Sequence, residues 1–282
     1  MAAAENGNGA LCMLNNGVVG NVFYLWRIVA TGLCFALFGI GALGLSTVVL
    51  PVVALLSRDA STRKRRLQYT VHKSFRFFIG LMQASGILRL IVEKPERFSA
   101  VRNRLVIANH PSLIDVVILI MLFPEMDCIV KEALSQNRFL RGVVRAVGYL
   151  SNSDSALLLQ QCVAQLQAGS SLLVFPEGTR TRPGQPLCFQ RGVANIALRA
   201  GLPITPVFIE YVGSGLGKGD KWYKIPRHQP LYIRLWCGDD ICLPPVSEPL
   251  SLASRRVTEQ LQQFYQTELE QHAGDFCEQP AQ

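Results

Sequence analysis

The feature that most constrains this chain is a run of 29 residues, Ile28 to Leu56, without a single charge. At about 1.5 Å per residue a helix of that length exceeds the ~30 Å hydrocarbon core of a bilayer, so it spans a membrane with room for tilt. Gly39, Gly41 and Gly44 loosen such a helix and Pro51 kinks it near its end, which keeps a re-entrant hairpin open beside the single span. The apolar core of a cleaved signal peptide is roughly 7 to 15 residues, too short to account for this run. Directly after it, between Arg58 and Arg76, seven basic residues face one acid, Asp59, and supply most of the net charge of +8. Basic residues flanking an apolar span mark its cytoplasmic side and meet anionic headgroups. No recognition motif accompanies the cluster, so nucleic acid is not an expected partner.

Five segments follow from patterning. Residues 1–20 are small and polar and read as a flexible leader, and 21–57 form the membrane-anchoring segment. In 58–94, Leu67, Val71, Phe75, Phe78, Ile79 and Met82 recur at helical intervals through Leu90, which suits a basic amphipathic helix on the membrane surface or packed on a domain. From 95 to 250 short apolar runs alternate with helical stretches. The expected fold is α/β, a mixed, mostly parallel sheet flanked by helices, carrying an N-terminal membrane helix or hairpin. Strands are expected at Leu105–Ala108, Ser171–Phe175, Pro203–Tyr211 and Leu231–Trp236. Helices are expected at Ser112–Phe123, around Phe139–Val147, and at Asp154–Ala168, which Asp154 or Ser153 caps and Gly169 ends. Gly213–Lys221 reads as a mobile loop, and 251–282 as an amphipathic helix with an acidic tail. The eight cysteines, scattered from 12 to 277, show no paired spacing for zinc or dithiol chemistry and are expected as reduced, mostly buried thiols.

Asn109-His110-Pro111-Ser112-Leu113-Ile114-Asp115 follows an expected strand and opens an expected helix. Within a helix a five-residue step turns about 500°, so His110 and Asp115 share no face there and meet only across a strand-to-helix turn. Proline is tolerated at the first helical position, placing His110 on the loop and Asp115 one turn into the helix. An aspartate on one imidazole nitrogen fixes the tautomer and leaves the other nitrogen basic. Ser112, the nearest hydroxyl, stands where a helix cap is the ordinary role. The economical chemistry is direct: His110 removes a hydroxyl proton and the oxygen attacks an acyl thioester. A second loop, Phe175-Pro176-Glu177-Gly178-Thr179-Arg180, ends another strand and runs on to Arg182. Gly178 lets backbone approach a ligand, and Arg180 offers a fork of donors suited to phosphate. Read alone, this loop is equally a surface turn with a Glu177–Arg180 ion pair.

Together with Leu202-Pro203-Ile204-Thr205-Pro206-Val207, these two blocks resemble in order and spacing three motifs of the glycerolipid acyltransferase family typified by lysophosphatidate acyltransferases, over roughly residues 95–245. The resemblance implies a general base at His110 oriented by Asp115, acceptor-phosphate binding by Glu177, Gly178, Thr179 and Arg180, and a catalytic face held at the membrane. Asn109, Lys131, Arg182 and Arg191, the last within Phe189-Gln190-Arg191-Gly192, stand where it implies further substrate or donor contacts. The donor it implies is acyl-CoA or acyl-carrier protein, with membrane lipids as partners and no metal or other cofactor. The chain departs from the family in one place. Family members acting on lysophosphatidate carry Gly-x-x-Phe-Ile-Asp-Arg between the first two motifs; here the stretch is Gly148-Tyr149-Leu150-Ser151-Asn152-Ser153-Asp154, with an acid at the arginine position. Either another lipid is the acceptor, or Arg180, Arg182 and Arg191 take over the phosphate. The sequence is also similar to acyltransferases of bacterial aryl-polyene pigment clusters, which implies a specialised lipid acceptor and a bacterial inner membrane with the catalytic domain on the cytoplasmic side. A non-catalytic lipid-binding protein and a hydrolase using Ser112 are the competing classes.

Overall fold

A computed structural model describes residues 5–273 apart from 183, 228 and 246. Helix α1, Glu5–Gly44, runs through a π-helical turn, Leu45–Val49, into α2, Leu50–Leu55. Then come α3 (Ala60–Ala84), β1 (Leu88–Val92), α4 (Pro95–Ala100), β2 (Leu105–Ala108), α5 (Asp115–Leu122), β3 (Asp127–Val130), α6 (Glu132–Gln136) and α7 (Arg141–Val147). The chain continues through β4 (Leu150–Ser151), α8 (Ser155–Gln167), β5 (Leu172–Val174), α9 (Arg191–Ala200), β6 (Ile204–Val212), β7 (Leu231–Cys237) and α10 (Leu250–Ala273). The seven strands form one sheet in the order β1-β7-β6-β2-β5-β3-β4, parallel throughout except where β6 and β7 run antiparallel. The expected mixed, mostly parallel sheet is the one observed.

Strand β2 is central, and all four of its side chains are fully buried. Val106 and Ala108 join a core with α1, α3 and α5; Leu105 and Ile107 join a second core with α8, α9 and α10. Apolar on both faces is what a parallel strand covered by two helical layers demands. Because β2 pairs in register with β5 on one side (Ile107 with Val174) and β6 on the other (Ala108 with Val207), the loops leaving the carboxyl ends of β2 and β5 emerge together. Ligand sites of open α/β sheets lie at that edge.

The N-terminal apolar segment is seated along the domain. The Trp26 indole donates to the Ser85 carbonyl (3.0 Å), Arg27 donates to that of Arg227 (3.3 Å), and Ala30, Cys34, Ala42, Leu45 and Leu50 are buried. Near the other end α7 approaches so closely that a Cβ on Gly142 would lie 2.5 Å from the Ser46 side chain. The outward face, including Val22, Phe23, Leu33, Ile40, Val48 and Leu55, is exposed. Gly20–Leu55 is long and apolar enough to cross a membrane. Helix α3 is locked to the sheet by Lys64, whose ammonium lies 2.7 Å from the buried Asp127, and by Gln68, which donates to the same carboxylate.

Three expectations are corrected. The leader is helical from Glu5, continuous with the apolar helix that propagates it; residues 1–4 lie outside the described ones, as does the tail from 274. The helix in 58–94 stops at Ala84, and Leu88–Val92 is a strand on β7. The helix after His110 begins at Asp115, three residues later than read. Asp154 does cap α8, accepting the N–H groups of Ala156 and Leu157. Cys34, Cys128, Cys162 and Cys237 are buried and free, Cys188 and Cys242 exposed and free, and burial pushes the Cys128, Cys162 and Cys237 thiols up to about 12.

Candidate active site

His110 leaves the end of β2 and its Nδ1 lies 2.8 Å from an Asp115 carboxylate oxygen. Asp115 is the first residue of α5, fully buried, where its charge complements the helix dipole. The carboxylate also accepts from the Ser112 backbone N–H (2.7 Å) and from the Ser112 hydroxyl. Those bonds hold residues 111–114 in a turn, which is why the helix starts late. They also occupy Ser112, which is completely buried and presents no nucleophile. With a carboxylate acceptor on Nδ1, that nitrogen carries the proton and Nε2 is the basic one. The ring, 17% exposed, stacks on Phe175 at a centroid separation of 4.2 Å.

The loop from β5 is tied to the histidine loop in both directions. The His110 N–H donates to Glu177 (2.7 Å), the Thr181 N–H donates to the His110 carbonyl (3.0 Å), and the Thr181 hydroxyl donates to the other Glu177 oxygen. Gly178 takes φ +65°, a left-handed turn that other residues adopt only with strain. Glu177 therefore holds the two loops in register and makes no surface ion pair with Arg180. Arg180 instead donates through Nη1 to the carbonyls of Leu216 (3.2 Å) and Gly217 (3.1 Å), leaving Nε and Nη2 for a ligand. Thr179 is half-buried in the turn between them.

Two cavities share His110. One, about 580 Å³, is mostly apolar and lies between α1, α3 and the sheet, walled by Phe35, Phe38, Phe75 and Phe78, with His110, Arg180, Lys131 and Asn152 among its polar members. The other, about 480 Å³, is a polar cleft carrying Glu177, Arg182, Tyr211 and Gln266. The remaining expected site residues separate. Lys131 reaches the apolar cavity and Arg182 the polar cleft. Asn109 also lines the polar cleft, buried, with its side-chain amide engaged on both backbone groups of Ile209, so it braces β2 against β6. Arg191 opens α9, exposed, and lines neither cavity. Asp154, in the family's arginine position, has its carboxylate on the first turn of α8. Phe175 as a stacking partner and the carbonyls that seat Arg180 carry no sequence signature. The loop read as mobile is pinned, Asp220 accepting the N–H groups of Gly215 (2.9 Å) and Gly217 (3.0 Å).

Burial pushes the Glu177 carboxyl up to about 7, with the Asp115 charge adding to the rise and the His110 N–H opposing it. A carboxyl titrating above its ordinary 4.5 binds its proton more tightly folded than unfolded. Its contribution to stability is full below pH 4.5, falls between 4.5 and about 7, and is constant beyond. The loss across that window is about 3 kcal/mol. Glu177→Gln removes it, and unfolding of wild type and variant at pH 5 and pH 7.5 should show a difference that shifts in the variant's favour at the higher pH.

The site thus joins a histidine held by a buried aspartate, a Pro-Glu-Gly loop with an inward arginine, and an apolar cavity. Residues 89–210 match the family model described as Acyltransferase. Among curated proteins the chain is 30% identical over 145 residues to 1-acyl-sn-glycerol-3-phosphate acyltransferase beta of Homo sapiens, covering 48% of this chain and 49% of that one. It is 27% identical over 150 residues to the 1-acyl-sn-glycerol-3-phosphate acyltransferase of Pseudomonas aeruginosa, covering 51% and 58%. The chain thus spans about half the length of these curated relatives. In fold it is similar to the crystal structure of the 1-acyl-sn-glycerophosphate (LPA) acyltransferase PlsC of Thermotoga maritima, with a TM-score of 0.69 at 19% identity over 93% of this chain and all of that one. The family resemblance is carried by residues 89–210, and the likeness to the solved structure is one of fold.

Proposed function

We propose that the protein is a membrane-bound O-acyltransferase that moves a fatty-acyl group from acyl-CoA or acyl-carrier protein to the hydroxyl of lysophosphatidate or a close relative. The observation that carries the reading is His110 standing in the shared wall of an apolar cavity and a polar cleft, its ring held by Asp115. The apolar cavity, within the ~300–1,000 Å³ of ligand pockets, takes the acyl chain. Nε2 of His110 takes the acceptor's hydroxyl proton as its oxygen attacks the thioester carbonyl. The tetrahedral intermediate collapses with loss of the C–S bond, and the imidazolium returns the proton to the departing thiolate. Arg180, with Lys131 at the same cavity, binds the acceptor's phosphate. The acid at 154 does not oppose this, because its carboxylate is engaged in capping α8.

Labelled acyl-CoA and acyl-carrier protein offered against lysophosphatidate and uncharged hydroxyl lipids test the reading. Acylated lysophosphatidate is expected. Product only with an uncharged or specialised acceptor would replace the phosphate assignment, and free fatty acid without acylated lipid would replace the transferase with a hydrolase.

Seating also bears on topology. From Trp26 to Leu50 the apolar helix touches the domain over about 36 Å, more than the ~30 Å hydrocarbon thickness, so a perpendicular span would pull the domain into the bilayer. The exposed apolar face instead lies in one leaflet, parallel to the surface. Cysteines installed at Gly20 and the exposed Arg58 are then labelled by an impermeant reagent from the same side of sealed vesicles. Labelling from opposite sides would restore the single span.

A further inference from the structure

The connection from β6 to β7 does more than reverse the chain. Between 213 and 227 it carries Lys218, Lys221, Lys224 and Arg227 against one acid, Asp220, whose carboxylate already holds two backbone N–H groups of the loop. Leu216 and Ile225 anchor it inward, and Ser214 ties its two arms by donating to the Lys224 carbonyl (3.0 Å). At the tip Trp222 and Tyr223 are 46% and 42% exposed, with the four cations exposed around them. Large amphipathic rings among basic residues are the composition of a membrane–water interface.

The tip rests on the apolar helix. A Cβ on Gly32 would lie 3.3 Å from the Trp222 ring, Phe35 meets that ring edge-on at 6.3 Å, and the Arg227 guanidinium covers Tyr24 at 5.2 Å. Exposed Trp222 is thus continuous with the exposed apolar face of α1 at Val29, Leu33 and Phe35. The base of the same loop supplies the Leu216 and Gly217 carbonyls that hold Arg180, and the Leu216 carbonyl also accepts the Leu113 N–H beside the catalytic pair.

We propose that the 213–227 loop is a second bilayer contact, its partner an anionic lipid surface, and that docking of its aromatic and basic tip sets the backbone carbonyls that orient Arg180. The inference rests on the in-plane seating of α1 and adds to it a link between lipid contact and acceptor binding. An acidic protein would match the charges but not an aromatic tip merging with the helix's lipid-facing side.

The chain has three tryptophans, Trp26, Trp222 and the buried Trp236, which allows the loop and the helix to be read separately in vesicles of lipids brominated near the headgroup or at the chain end. Trp26→Phe leaves Trp222 as the reporter of the loop, Trp222→Phe leaves Trp26 as the reporter of the helix, and the double variant leaves only Trp236. Headgroup-proximal bromine is expected to quench the Trp26→Phe protein strongly, chain-end bromine weakly, and neither the double variant. Quenching of Trp26 without quenching of Trp222 overturns the loop contact and leaves the helix seating standing; quenching of neither overturns both. In a second arm, Lys221→Gln/Lys224→Gln is expected to raise the KM for the acceptor about fivefold per lysine on anionic vesicles and to leave the wild-type KM in neutral detergent micelles. An unchanged KM on anionic vesicles, or a rise confined to the KM for acyl-carrier protein, overturns the assignment of lipid as the partner.

Discussion

His110→Ala is expected to lower acyl transfer by about 10³-fold or more while the protein still folds and partitions to membranes. The ring makes one side-chain hydrogen bond, to Asp115, and one stacking contact, to Phe175, so its removal frees no buried charge other than a carboxylate that keeps both bonds from Ser112. Asp115→Asn is the informative companion. The carboxylate receives three donors, the His110 Nδ1–H, the Ser112 N–H and the Ser112 hydroxyl, and an amide of the same shape accepts on one side only. The Ser112 hydroxyl can turn to accept from the NH₂ group, but the neutral amide no longer stabilises the imidazolium that forms when His110 takes the proton. Loss of two to four orders of magnitude in kcat with little change in KM is therefore expected. The check is steady-state transfer by purified variants in micelles, with circular dichroism to confirm the fold. Turnover within tenfold of wild type in His110→Ala would remove the general base from the mechanism.

The same pair shows where reading the chain succeeds and where it stops. That His110 and Asp115 meet across a turn follows from helical angles alone, and β2 falls on the expected residues, Leu105–Ala108, because a fully apolar run bounded by polar residues has few other homes. The turn's length does not follow. Pro111 suits a first helical position, yet the Asp115 carboxylate takes the Ser112 N–H and delays the helix to 115. Strand β3 hides because it opens on a charge, and Asp127 is buried only because Lys64 and Gln68, some sixty residues earlier, come to it. Strand β1 hides because its five residues continue an apolar stretch that helical periodicity absorbs equally well. The two loop motifs are local and readable. The cavity between them and helices α1 and α3 is built from Phe35, Phe38, Phe75 and Phe78, positions that a sequence presents only as apolar run and amphipathic helix.

Arg180 is where charge and scaffold coincide, and its substitution separates the two. Arg180→Ala is expected to lower kcat/KM for lysophosphatidate by roughly 10- to 100-fold, the loss of about 1.5–3 kcal/mol from charge-assisted hydrogen bonds, mostly through KM. For an acceptor with a free hydroxyl and no phosphate the same variant is expected to change little. Arg180→Lys sharpens the argument. A lysine keeps the charge but is a point donor, whereas the guanidinium uses Nη1 on the Leu216 and Gly217 carbonyls while presenting Nε and Nη2 as a fork. Lysine is therefore expected to recover less than half of the lost free energy, and no more for being cationic at every assay pH. Equal losses with charged and uncharged acceptors would mean that the arginine only seats the 216–217 backbone. A loss specific to the phosphate means that the loop holds its arginine by one nitrogen so that the rest of the group faces the substrate.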